Sequence, residues 1–233
     1  MCWISATLGA LMALAGIQSG GDPAREILAR AQAAAGGKER LAKIRDLRRT
    51  ARRSILGGRI QALQTTQAIL PGTLRNEMTA GVSSVVVYLQ EGAGWIRSAQ
   101  GRIPLSESQV WEVKGTLLHL PEYVLQSDEW PGHSVRYGGT GDVNGVAADI
   151  LEVSMERNVK ARLWIGKDPA LLLKMAYLEN AARIEEIYSD FRLTGGLRVA
   201  WHTKILQDGE LAAELSVTSL SYNNGLTPDA LGR

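Results

Sequence analysis

Cysteine is almost absent from this 233-residue chain, since Cys2 is the only one. A disulfide within the chain is therefore excluded, and so are a cysteine-based zinc site and a catalytic thiol. Phenylalanine is equally scarce, because Phe191 stands against six tryptophans and six tyrosines, so most large aromatic side chains are amphipathic. The formal net charge is only +2, which gives no reason to expect nucleic acid as a partner.

Basic residues do cluster at one place in the first half of the chain. They are Arg45, Arg48, Arg49, Arg52 and Arg53. Their nearly alternating spacing predicts the polar edge of a strand. The alternative is contact with an anionic surface, where each basic residue contributes only about 1 kcal/mol.

The side chains that usually carry catalysis are few and scattered. His119, His133 and His202 have no metal-ligand spacing, and none accompanies a nucleophile elbow. The sequence also lacks a glycine-rich phosphate loop that leads into a helix. We therefore expect no metal, no cofactor and no enzymatic activity. The alternative is a hydrolase or an enzyme accessory that uses Glu186 and Asp190, which share a strand face, together with His202.

The chain begins with an apolar stretch over residues 4–17, followed by the small residues of 18–21. About 14 residues are too few to span a hydrocarbon core of ~30 Å as a helix. The length is typical of the apolar region of a signal peptide, which predicts a signal peptide over 1–20 and export to the periplasm. No basic residue precedes the stretch. The alternatives are an N-terminal core helix or a wrongly assigned start codon.

Most of the remaining sequence alternates between apolar and polar residues. In 159–165, for example, Val159, Ala161, Leu163 and Ile165 fall on one face. Turn residues recur about every 8–12 positions, which is typical of an antiparallel meander with one buried face.

Helical signals occur in two places. Asp22 and Pro23 begin a helix that ends at Gly36. A capping box beginning at Ser106 opens a hydrophobic insert over 107–127, which we interpret as two short helices.

These patterns predict a mainly β protein with one domain over 22–225 and a flexible tail over 226–233. We expect an antiparallel sheet of about 11 strands, curled into an unclosed barrel, with the N-terminal helix and the insert acting as a lid. Such a sheet would surround an apolar pocket. The predicted cavity and lid residues are Trp95, Trp111, Leu117, Leu118, Leu120, Leu163, Val199 and Trp201.

The order of elements and several local sequences resemble the LolA/LolB-like family of bacterial outer-membrane lipoprotein-sorting proteins. The resemblance covers most of residues 22–225 and is that of a divergent member. The segments that carry it are Leu-Pro-Gly-Thr-Leu-Arg-Asn-Glu at 70–77, Glu-Gly-Ala-Gly-Trp at 91–95, Ala-Arg-Leu-Trp-Ile at 161–165 with 172–174, and 186–192 followed by 195–197.

The resemblance implies an unclosed antiparallel barrel and a lipid-type ligand. It predicts a monomeric periplasmic carrier or binding protein for the acyl chains of a lipoprotein or lipid, with transport proteins of the outer or inner membrane as further partners. The chain departs from the family's pattern at one position that concerns the delivery of lipoprotein. The family's carriers have an arginine before the proline of the first segment, whereas this chain has Leu70, so the role of that arginine is not transferred.

Overall fold

The computed structural model describes residues 22–233, and the signal peptide predicted over 1–20 lies outside the described residues. Five helices occur in the described part. They are α1 (Pro23–Ala34), α2 (Lys38–Ala42), α3 (Glu107–Leu118), α4 (Pro121–Val124) and α5 (Pro228–Leu231), with one 3₁₀ turn at Glu156–Asn158. None of these helices is long and apolar enough to cross a bilayer.

Strands make up most of the rest. They are β1 (Asp46–Ile55), β2 (Ile60–Ile69), β3 (Thr73–Ala80), β4 (Ser83–Gln90), β5 (Ala93–Ser98), β6 (Gly101–Pro104), β7 (Ser134–Val143), β8 (Val146–Ser154), β9 (Lys160–Gly166), β10 (Leu172–Glu179), β11 (Ala182–Thr194), β12 (Leu197–Gln207) and β13 (Glu210–Tyr222).

All 13 strands form one antiparallel sheet in the order β6-β5-β4-β3-β2-β1-β13-β12-β11-β10-β9-β8-β7. The strands before the insert form one meander and those after it form a second. Pairing of β1 with β13 joins the two meanders. The edge strands β6 and β7 do not pair with each other, so the sheet is not closed into a barrel.

The predicted fold class is confirmed, but the strand number exceeds the expected value of about 11. One reason is β6, whose four residues are all exposed. An exposed strand has no buried face and therefore shows no apolar alternation.

Tight turns set the register between neighbouring strands. Asn144 and Gly145 join β7 to β8 with φ angles of 52° and 83°. Asp208 and Gly209 join β12 to β13 with φ angles of 51° and 88°. Two successive residues with positive φ are typical of the hairpin turn whose twist matches that of the strands, and Asn-Gly and Asp-Gly tolerate this conformation best.

The helices cover the inner face of the sheet, which we define as the face carrying the main apolar core. Helix α1 packs against β7 and β8, and α3 packs against β3 and β4. Each meander is therefore covered in part by one helix. The fully buried leucines of this core include Leu28, Leu47, Leu74, Leu89, Leu117, Leu118, Leu151 and Leu163.

Packing of the insert can be tested with Leu118, whose exposed fraction is 0%. Truncation to alanine leaves a cavity among the core leucines, so we expect Leu118→Ala to lower the free energy of unfolding by about 2–5 kcal/mol in urea titrations. Leu178→Ala, at a residue 72% exposed, should change it by no more than about 0.5 kcal/mol. Equal effects of the two substitutions would contradict the described packing.

Residues 226–233, over which a flexible tail is predicted, include a side chain that packs on the outer face of the sheet. Leu231 is 2% exposed and packs with Tyr88 and Trp95. Its backbone oxygen accepts a hydrogen bond of 3.0 Å from Arg75. One buried leucine and a few main-chain bonds produce no periodic pattern, so this sequence gives no sign that the tail is anchored.

Asp46 holds the chain that leads into this tail. It is 4% exposed, and its carboxylate accepts hydrogen bonds from the backbone amides of Asn224 (2.7 Å), Gly225 (3.0 Å) and Leu226 (3.2 Å). Asp46→Ala removes the common acceptor, so we expect a loss of about 1–3 kcal/mol in unfolding free energy and faster hydrogen exchange at these amides. Asp229→Ala, at an exposed tail position, is the control and should alter neither quantity.

Candidate functional site

An apolar cleft lies on the inner face, between α2, α4 and strands β10 to β13. Its apolar lining includes Leu41, Leu125, Leu172, Phe191, Leu197 and Val199. The cleft has a free volume of about 50 Å³, which is well below the roughly 150 Å³ of a cavity that binds one benzene molecule. The helices thus fill most of the space above these strands.

A polar chamber adjoins the cleft and has a free volume of about 290 Å³. It lies between the end of α3 and seven adjacent strands, in the order β3-β2-β1-β13-β12-β11-β10. The polar side chains in its wall include Arg53, Gln64, Asn76, His119, Glu179 and Glu186. Four residues line both spaces, namely Arg49, Pro121, Tyr188 and Thr203, so cleft and chamber share a wall.

Two tyrosines bind the carboxylate of Glu186 inside the chamber. The Tyr177 hydroxyl donates to Oε1 at 2.8 Å, and the Tyr188 hydroxyl donates to Oε2 at 2.6 Å. Burial, together with the charge of Glu186, raises the pKa of both tyrosines well above its usual value. Both hydroxyls therefore stay protonated, and each oxygen of Glu186 accepts one hydrogen bond from a tyrosine.

Arg53 brings a positive charge into the same chamber. Its Nη1 donates to Gln64 Oε1 at 3.0 Å, whereas its Nε is buried without a hydrogen-bond partner in the described part of the chain. Burial lowers the pKa of Arg53, an effect that the nearby charge of Glu186 opposes. Because a guanidinium stays protonated in proteins, Arg53 remains a cation with spare donors.

His119 closes the chamber from the end of α3. It is 6% exposed, and its ring stacks on that of Tyr177 with centroids 3.8 Å apart. Neither ring nitrogen has a well-aligned hydrogen-bond partner among residues 22–233, and the backbone of Lys160 is near enough only to favour the protonated form against the effect of burial. Burial lowers the pKa of His119 to about 4, so the imidazole is neutral at pH 7.

The insert is fastened over the cleft by a few polar contacts. Glu122 is 4% exposed, and its Oε1 accepts a hydrogen bond of 2.8 Å from the Tyr222 hydroxyl of β13. Gln32 of α1 donates to the Leu125 carbonyl at 2.9 Å and to Asp128 Oδ1 at 2.8 Å. The cover thus contacts both the sheet and the N-terminal helix.

Known structures with the same architecture come from proteins of low sequence identity. A DUF1329 family protein from Desulfovibrio piger superposes with a TM-score of 0.61 at 15% identity, over 90% of this chain and 97% of that one. A putative outer membrane lipoprotein-sorting protein domain from Vibrio parahaemolyticus gives 0.57 at 12%, over 90% and 100%. A LolA superfamily protein from Nitrosomonas europaea gives 0.57 at 14%, over 90% and 97%.

The fold is LolA-like. No family model matches the sequence, and no curated protein does so either. The likeness therefore concerns the three-dimensional architecture, while the roles of individual residues must come from the site itself.

Five of the predicted cavity and lid residues lie on the inner face of this LolA-like sheet. Leu117, Leu118, Leu120 and Leu163 are buried in the main core, and Leu120 also lines the polar chamber. Val199 lines the apolar cleft. Alternation and helical spacing therefore placed these residues on the inner face.

The three predicted tryptophans line neither the apolar cleft nor the polar chamber. Trp95 pairs across the strands with Tyr88 on the outer face, opposite to the neighbouring core residue Leu89. Trp111 is a half-buried residue of α3, with the guanidinium of Arg157 4.3 Å from its ring centroid. Trp201 lies outside both linings, and its Nε1 donates to the Thr194 hydroxyl at 3.2 Å. The indole ring of tryptophan is amphipathic and also packs well against an arginine or under the C-terminal residues. The large size of a tryptophan side chain therefore does not by itself indicate a cavity position.

The alternative catalytic group does not assemble. Glu186 is bound in the chamber, whereas Asp190 forms an ion pair of 2.6 Å with exposed Arg192. His202 lies 3.3 Å from the Ser216 hydroxyl. No group of three or more potential metal ligands occurs within the described range 22–233.

Several chamber residues were missed at the sequence level. Arg49 and Arg53 have the same strand parity as Leu47 and Ala51, which are buried. Because alternate residues of a strand face the same side of the sheet, this shared parity could have predicted that Arg49 and Arg53 face inward. The position of His119 carried no comparable signal, because it ends a short helix.

Buried His119 predicts a pH dependence of stability. Its folded-state pKa of about 4 lies below the unfolded value of 6.5, so the unfolded chain binds more protons between these values. The free energy of unfolding should therefore fall as pH drops from 7 to 4, by about 3 kcal/mol from this group.

Urea unfolding at several pH values measures the effect. His119→Gln should give a shallower decline than the wild type over this window. The matched variant His202→Gln, on an outward strand position, should retain the wild-type decline. Parallel curves for the wild type and His119→Gln would contradict a neutral buried imidazole.

Proposed function

We propose that this protein is an exported periplasmic carrier that holds the acyl chains of a lipoprotein or lipid, and that it is not an enzyme. The observation that carries the proposal is the apolar cleft beneath a helical cover on the inner face of an unclosed sheet. The likeness of the fold to a putative lipoprotein-sorting domain supports it. A monomer that exchanges cargo with membrane transport proteins fits this role.

The size of the cleft bears on how a chain would enter. About 50 Å³ accommodates only a small part of an acyl chain, so the cover over the cleft must move when ligand binds. Each buried methylene contributes roughly 0.8 kcal/mol, and ~8 carbons give ~6 kcal/mol before the losses of association. Movement of the cover exchanges the polar contacts of Glu122 and Gln32, together with part of the apolar packing of the insert, for this gain.

One end of the sheet also supports handling of lipid. The adjoining hairpins β1–β2, β3–β4, β10–β11 and β12–β13 turn at this end. Exposed large apolar side chains are concentrated there. They are Leu56, Ile60, Leu63, Met78, Val82, Val85, Leu178 and Leu211. Concentrated exposed apolar surface is a common feature of protein and membrane contact sites.

Binding of a fluorescent fatty acid tests the proposal. The wild type should bind the probe saturably in the micromolar range or tighter, and an unlabelled acylated peptide should displace it. Val199→Trp fills the cleft and should abolish binding. Leu193→Trp, at a residue 74% exposed, is the matched control and should bind as the wild type does.

Hydrogen exchange of the insert provides a second readout. Bound ligand should change the exchange rates over 107–127 in the wild type and not in Val199→Trp. Absence of saturable binding to the folded wild type would refute the carrier function.

A further inference from the structure

Strand β1 carries four arginines that divide between the two faces of the sheet. Arg48 and Arg52 are exposed. Arg49 and Arg53 are half-buried and line the polar chamber. The interpretation of this segment as a polar strand edge thus describes only one pair, and the inward pair requires another explanation.

Arg49 lies where the two spaces meet. It lines both the apolar cleft and the polar chamber. Within residues 22–233 the guanidinium of Arg49 forms neither an ion pair nor a hydrogen bond. Arg53, in contrast, donates a hydrogen bond to Gln64. A half-buried guanidinium beside an apolar cleft is suited to receive an anionic oxygen.

Two other residues of the chamber have buried donors without partners in the described part. They are Arg53, at Nε, and His119, whose neutral ring offers one donor and one acceptor. Glu186 already accepts two tyrosine hydroxyls, and Gln64 Oε1 accepts a hydrogen bond from Arg53. An oxygen-rich group that accepts hydrogen bonds would satisfy the free donors of Arg53 and His119.

We propose that Arg49 binds the carboxylate or phosphate head of a single-chain amphiphile whose tail enters the apolar cleft. Both heads offer two or more anionic oxygens to the guanidinium fork. The proposal rests on the carrier function above and specifies its ligand class. It assigns the polar chamber to the head group and the cleft to the chain.

The acidic residues near Arg49 shape this preference. Glu186 accepts the Tyr188 hydroxyl at 2.6 Å, and Glu122 accepts the Tyr222 hydroxyl at 2.8 Å, whereas Glu122 Oε2 is buried without a partner within residues 22–233. Hydrogen bonds thus balance only part of the negative charge of these two carboxylates. Glu179 also lines the chamber and repels an anionic head. Removal of the Glu179 charge should therefore strengthen binding of the head, whereas removal of the Arg49 charge should weaken it.

The experiment compares three amphiphiles of equal chain length, namely dodecanoate, dodecyl phosphate and dodecanol, by displacement of an uncharged fluorescent lipid probe. Arg49→Met should weaken both anions about tenfold or more and leave dodecanol within about twofold. Arg49→Lys should recover part of the loss. Glu179→Gln should tighten the anions only. Arg48→Met, the adjacent arginine on the outer face, should change none of the three.

The outcomes separate the two proposals. If dodecanol binds as tightly as the anions and Arg49→Met changes nothing, the head-group site is refuted while the carrier function stands. If no amphiphile binds the wild type, the carrier function itself fails. Tighter binding of the phosphate supports a lipid headgroup as the ligand, and tighter binding of the carboxylate supports a free fatty acid. Thermal unfolding of each variant verifies that loss of binding is not loss of folding.

Discussion

Pairing of β1 with β13 is the constraint on which the rest of the molecule depends. Strands at the two ends of the described chain meet there, with Leu47 opposite Tyr222 and Arg49 opposite Leu220. Without this pairing, two separate meanders would each expose an apolar face, which is unfavourable in water. The same pairing brings Asp46 beside the start of the tail and Arg49 beside the apolar cleft. Both the anchored C-terminus and the candidate site thus follow from one strand pair.

The unclosed sheet explains why an apolar cleft and a polar chamber occur side by side. Helices α1 and α3 cover only part of the inner face, and there the leucines pack to exclude water. Towards the hairpin turns no helix formed by residues 22–233 fills the space, and inward positions carry polar residues such as Arg53 and Gln64 instead. A buried polar group is stable only when it is hydrogen-bonded. The network around Glu186 provides such bonds and keeps the chamber open.

Much of this architecture could be predicted because its signals are local. Alternation in 159–165 placed Leu163 and Ile165 in the core, where both are 0% exposed. The capping box at Ser106 gave the start of α3, which begins at Glu107. The position of Trp95 could not be predicted in this way. Alternation divides a strand into two faces, but which face is covered depends on elements distant in sequence, and here the tail containing Leu231 covers the outer one.

The inward arginines illustrate the same limit more sharply. Charged residues are expected on the solvent face, because burying an unpaired charge is costly. That expectation holds for a sheet whose inner face is fully packed. In the sequence-based prediction it took precedence over the strand parity that Arg49 shares with buried Leu47. In an unclosed sheet the inner face can hold a solvated chamber, where a cation keeps its charge at lower cost. A charged residue at a core-parity position of such a sheet therefore indicates a ligand space, whereas in a packed sandwich it would indicate a register error.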